Sequence, residues 1–188
     1  MVLFWLLAIA AAGLFIFMLA VPVPVLYEEA GGLLPFDLRP WGYGEWYVQK
    51  YLNALSEEGI DTYLGLQHQI DLIFPVVLAA AFVVLFRRKL GTAAGLAMTV
   101  VAVIGAVADY SENALVTTIL TSDVTPGQVM LSSGMTIVKW LADLGCLAMA
   151  GWIGFTSWRA PKPKPRKRKA APAKKGTPAK KPKTGQRA

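Results

Sequence analysis

Four apolar runs dominate this 188-residue chain: residues 2–26, 70–86, 92–120 and 131–158. Each is long enough to cross a bilayer as a helix, which takes about 20 residues. In hydrocarbon every backbone N–H and C=O must be satisfied within the protein, so apolar runs of this length are read as helices. The fold expected is all-α, a four-helix transmembrane bundle over residues 1–158. Composition agrees. Hydrophobic residues make up 55% and charged residues 16%, against roughly 45–50% and about 25% in a soluble domain. The first run lacks the basic start of a secretory signal and exceeds its usual apolar stretch of about 7–15 residues. Its best small-residue site, Met18-Leu19-Ala20, begins with a bulky Met. An uncleaved first span is therefore expected.

Charge is distributed unevenly. Thirteen of the 19 Lys and Arg residues fall in 159–188, while residues 1–158 hold six of them and all 12 acids. The basic pI belongs to the tail. In short loops Lys and Arg mark the cytoplasmic side. Arg87, Arg88 and Lys89 follow the second run, and Arg159 ends the fourth. The 121–130 loop carries no basic residue, and the 27–69 loop carries only Arg39 and Lys50. All loops agree on a multi-pass protein of the cell membrane with both termini cytoplasmic. Residues 159–188 are rich in Lys, Pro and Ala and hold no aromatic side chain. They cannot bury enough apolar area to offset ordering, so disorder is expected. Arg159, Lys162, Lys164, Arg166, Lys167, Arg168 and Lys169 suit anionic lipid headgroups at the membrane surface. The same run resembles a nucleic-acid patch, a weaker reading beside a membrane span, and recruitment of a protein partner is a third.

The 27–69 loop is not featureless. Pro35–Gly44 is dense in turn residues, and Val48, Tyr51, Leu52 and Leu55 recur at helical spacing with Gly59 as a candidate stop. A short amphipathic helix is expected. It either lies on the membrane, caps the bundle, or closes over a cavity.

Ionisable groups at membrane depth are costly, at least about 2.5–3.5 kcal/mol each on insertion scales, and need a partner or a role. Asp71 is expected in the first turn or so of the second span, with His68 one turn before it and Pro75 four residues after. A helical proline leaves the i−4 carbonyl, here that of Asp71, without its donor. Asp109, Glu112 and Asn113 share a face of the third span. Two carboxylates so close repel unless a proton or a cation intervenes. Lys139 and Asp143 share a face of the fourth span and are expected either to pair or to have Lys139 reach the interface. Together Asp71, Asp109, Glu112, Asn113, Lys139 and Asp143 form a candidate polar cluster in the outer half of the bundle, with His68 and Pro75 as accessories. A single Cys and a single His leave no metal motif, and no cofactor motif or His-Glu-x-x-His is present.

Phe36-Asp37-Leu38-Arg39-x-x-Gly42-Tyr43, Leu55-x-Glu57-Glu58-Gly59-x-x-x-Tyr63, Asp71-x-x-Phe74-Pro75 and Asp109-Tyr110-x-Glu112-Asn113 resemble an uncharacterised family of small bacterial four-helix membrane proteins. The resemblance covers about residues 30–145. It implies the same four-helix fold and supplies no activity. At the level of architecture alone, the chain is also similar to four-helix sterol isomerase-like membrane proteins.

Three functions fit. The cluster binds a cation, a proton or a lipid-like ligand. Alternatively, it performs acid/base chemistry on a lipid or isoprenoid. In the third reading it is buried glue in an assembly subunit, as in a homo-oligomer. The features that separate them are structural. An enzyme needs an apolar cavity reaching the cluster, a carrier needs a polar path onward, and a scaffold needs a filled bundle.

Overall fold

The computed structural model describes residues 1–159, which are helical and contain no strand. Helix α1 (Val2–Ala20) runs almost directly into α2 (Pro22–Glu29). Pro22 begins α2, where the missing N–H costs nothing. A 3₁₀ turn (Phe36–Leu38) and helix α3 (Glu45–Ala54) follow. Helix α4 (Glu57–Thr62), a π turn (Tyr63–Gln67) and α5 (His68–Lys89) then form one continuous rod. Helices α6 (Thr92–Thr121) and α7 (Pro126–Arg159) complete the bundle. Four rods are long and apolar enough to cross a membrane: Val2–Glu29, Glu57–Lys89, Thr92–Thr121 and Pro126–Arg159.

The rods alternate in direction. One end of the bundle carries the long 30–56 connection, and the other carries Met1, the 90–91 turn and Arg159. Helix α6 packs between α5 and α7, while α1 packs on α5. The polarity is inverted relative to a water-soluble bundle. Val100, Val103, Ile104 and Val107 form an exposed apolar stripe on α6, while Asp109, Glu112 and Asn113 on the same helix are buried. Such a surface suits hydrocarbon as its solvent.

Three apolar clusters hold the bundle. Phe82, Leu85, Phe86, Ala102, Cys146 and Ile153 pack near the Met1 end. Met18, Val23 and Ile70 join α1 and α2 to α5. At the loop end Phe36 is fully buried among Tyr43, Tyr51 and Tyr63, with ring centroids 4.9, 4.7 and 6.3 Å away. Burying an aromatic of this size contributes about 1.5–3 kcal/mol, which fastens the 30–56 connection onto the bundle. Helix α3 therefore caps the bundle through Tyr47, Val48 and Tyr51.

Several expected boundaries move. The second rod starts at Glu57, not near residue 70, so the 27–69 loop is shorter than its sequence implied. Gly59 does not stop α3. That helix ends at Ala54, and Gly59 lies in the first turn of α4, where its N–H donates to Ser56 Oγ at 3.1 Å. A Cβ at Gly59 would sit 2.5 Å from Leu55 and 3.0 Å from Glu29, so the glycine serves close packing. The fourth rod extends from 131–158 to Pro126–Arg159. Arg159 is the last helical residue of α7, its guanidinium 4.3 Å from the Phe155 ring centroid. The expected lipid contacts at Lys162, Lys164, Arg166, Lys167, Arg168 and Lys169 lie outside the described residues.

Candidate functional site

The site is assembled where the 3₁₀ turn meets the bundle. Gly42 adopts φ +79°, and a Cβ there would lie 2.6 Å from Ser133 Oγ and 2.9 Å from Ile137 Cδ1. Only glycine permits both the turn and this approach. The next residue completes the docking. The Tyr43 N–H donates to Ser133 Oγ at 2.8 Å, and the Tyr43 hydroxyl shares a hydrogen bond with Ser132 Oγ at 2.7 Å. Burial pushes the Tyr43 phenol up to about 12, with the Ser132 hydrogen bond opposing it. Trp140 Nε1 donates to the Asp37 carbonyl at 2.8 Å. These contacts pin Asp37 against α7.

Asp37 then receives two donors from the second rod. Tyr63 Oη donates to its Oδ1 at 3.1 Å, and Gln67 Nε2 to its Oδ2 at 3.0 Å. The same Gln67 nitrogen lies 3.0 Å from Asp71 Oδ2 and 3.0 Å from the Met18 sulfur. Its two protons go to the carboxylates, since a thioether is a weak acceptor. The π turn supplies Tyr63 and ends at Gln67. Single π turns inside helices are frequent at functional sites because they redirect side chains.

On the other side of the cavity end, Lys139 of α7 reaches across to α6. Its Nζ lies 2.5 Å from Glu112 Oε2 and 3.4 Å from Asp109 Oδ1. Glu112 is fully buried and also accepts from Thr136 Oγ1. Asn113 Nδ2 donates to Asp109 Oδ1 at 3.4 Å. The expected Lys139–Asp143 pairing does not form, and Lys139 does not reach an interface. Two acids on α6 outcompete one on its own helix. Asp143 instead sits half-buried beside Gly105, with no hydrogen bond or ion pair among the described residues.

Asp71 is fourteen residues into the rod that begins at Glu57, so it lies well inside the helix. Pro75 is inside α5, and beside it the Tyr110 hydroxyl donates to the Leu72 carbonyl at 2.7 Å. His68 is half-buried and does not line the site.

A cavity of about 340 Å³ lies between α1, α5 and α7. Its walls are Phe4, Ala8, Ala11, Phe15 and Met18 of α1, Phe74, Leu78, Ala81 and Phe82 of α5, and Leu147 and Ala150 of α7. At the loop end it terminates on Asp37, Asp71, Asp109, Lys139, Trp140 and Asp143. Leu147 is 53% exposed, so the cleft between α1 and α7 opens sideways. The polar end gathers five carboxylates, counting buried Glu112 behind Lys139, around one ammonium. Among the described residues no three His, Cys, Asp or Glu side chains are placed to hold one metal ion.

The structure thus brings together Asp71, Asp109, Glu112, Asn113, Lys139 and Asp143, and adds residues that were not singled out as site residues: Asp37, Tyr63, Gln67, Thr136 and Trp140. The i, i+4 spacing of Tyr63, Gln67 and Asp71 was the available signal for two of them. Compared with protein-family models, curated proteins and solved structures, the chain finds no match in any of the three.

Proposed function

We propose that the protein is a multi-pass protein of the cell membrane, termini cytoplasmic, that binds a single-chain lipid-like amphiphile within the bundle. The apolar cavity ending on a charged cluster carries this reading. From Phe4 to Met18 it follows α1 for fourteen residues, about 21 Å at about 1.5 Å per residue. That exceeds half of a hydrocarbon core of about 30 Å. Its volume of about 340 Å³ falls at the low end of ligand sites, roughly 300–1,000 Å³, which fits one chain with one head. The side opening between α1 and α7 admits a ligand from the bilayer. A filled bundle, as structural glue requires, would leave no such space. Anionic lipid at the basic tail is part of the same proposal.

The test is thermal stabilisation in nanodiscs by saturated single-chain amphiphiles of increasing chain length, on the wild type and on Ala11→Phe, which fills the cavity from α1. Stabilisation that rises with chain length and is lost in Ala11→Phe supports binding in the cavity. Equal stabilisation of both proteins at every length contradicts it.

One observation favours acid/base chemistry as a second reading. Asp109 beside Lys139 and Asp143 without a cation face the same cavity end. A donor and an acceptor in such different surroundings suit moving a double bond in an isoprenoid: one proton is delivered to an alkene carbon, the cation forms on the other alkene carbon, and a proton is removed from the allylic carbon beyond it. Incorporation of deuterium from D₂O into a bound isoprenoid, lost in Asp143→Asn, tests it.

A further inference from the structure

We infer that the head of the amphiphile is an ammonium group held by Asp71 and Asp143. This rests on the proposed reading and names the chemistry of its ligand. The first observation is charge. The lining acids Asp37, Asp71, Asp109 and Asp143 share the cavity end with one cation, Lys139. That ammonium is committed to Glu112 at 2.5 Å and Asp109 at 3.4 Å. Asp37 is held by Tyr63 and Gln67.

The second observation is an unpartnered oxygen. Asp71 is 6% exposed and lines the cavity. Its Oδ2 accepts from Gln67, while its Oδ1 has no hydrogen-bond or ion-pair partner among the described residues. Asp143, on the facing helix α7, has none at either oxygen. A buried carboxylate oxygen left without a donor is costly, and burying charge is tolerated when it is paired. A primary ammonium carries three N–H donors and no acceptor, which matches the free oxygens of Asp71 and Asp143. A carboxylate or phosphate head would meet like charge. A hydroxyl head has one donor to give to two acids. The apolar walls accept the chain, so the whole ligand is a long-chain amine.

The experiment compares dodecylamine, dodecanol and dodecanoate at equal mole fraction in nanodiscs, by thermal stabilisation of the wild type, Asp71→Asn, Asp143→Asn and Ala11→Phe. A charge-assisted hydrogen bond is stronger than a neutral one, so the amine should half-saturate at about tenfold lower mole fraction than the alcohol. Asp143→Asn should erase most of that preference while the dodecanol response persists. Asp143 is half-buried and unpaired, so this variant folds even if Asp71→Asn does not. Equal responses to amine and alcohol, both lost in Ala11→Phe, would overturn the ammonium head and leave the chain site standing. The strongest response to dodecanoate would overturn it as well. No difference between wild type and Ala11→Phe with any of the three would overturn both.

Discussion

Lys139→Met should be among the most damaging single substitutions in the bundle. The ammonium sits between Glu112 and Asp109, all three side chains at most 11% exposed. Solvent screening is therefore slight. Removing one member of a buried ion pair strands the other, at about 3–5 kcal/mol. For a protein of this size each kcal/mol moves Tm by about 2–4 °C, so a drop of roughly 6–20 °C is expected. The assay is thermal unfolding in nanodiscs followed by tryptophan fluorescence. The double variant Lys139→Met/Glu112→Leu separates charge from packing. It removes both charges of the close pair, and Thr136 keeps an acceptor in the Ser132 carbonyl at 3.1 Å. Replacing an entire buried pair with apolar groups is often close to neutral. More than half the lost stability should return. A Lys139→Met cost below about 1 kcal/mol, or a double variant equal to the sum of the singles, would refute the reasoning, because the coupling energy would then be absent.

Three further outcomes are expected. Gly42→Ala should lower stability by about 1–3 kcal/mol through backbone strain, and by more where its Cβ displaces Ser133, read by the same melt. Tyr51→Phe should leave stability unchanged or raise it by about 1 kcal/mol, since the Tyr51 hydroxyl is buried without a partner among the described residues. Tyr43 gives a pH dependence of definite sign. Its phenol is pushed from 10.0 up to about 12 by burial, so folding favours the protonated form. Its contribution is fully present below pH 10 and is lost as pH rises through 12. Tyr43→Phe should be less stable than wild type near neutrality, from the lost Ser132 hydrogen bond, and the gap should close or reverse by pH 12.

The helices were legible because their signal is local. Each apolar run reaches the length range of a membrane-crossing helix, about 17–25 residues, or exceeds it, and the acids on α6 and Lys139 stand out against hydrocarbon. The start of the second rod was not read, although Ser56 ahead of Glu57 and Glu58 is a standard N-terminal arrangement of a capping hydroxyl and acids facing the helix dipole. Polar residues there look like loop when hydropathy alone is weighed. Asp37 escaped for a different reason. An acid in a turn-dense stretch is ordinarily solvated, and its burial depends on Gly42, Tyr43 and Trp140 docking that stretch onto α7. No spacing within the chain encodes that. Lys139 and Asp143 show the converse: a same-face spacing implied a pair, and cross-helix geometry with Glu112 prevailed.

The proposed ligand places its apolar chain between α1 and α7 and its head beside Trp140. The most direct measurement is fluorescence quenching in a variant whose only tryptophan is Trp140, using a dodecylamine brominated either near the nitrogen or at the far end of the chain. Quenching should be stronger for bromine near the nitrogen, and it should vanish in the Ala11→Phe background. Quenching no greater than that from bilayer lipid brominated at the same depth, and unaffected by Ala11→Phe, would contradict the claim.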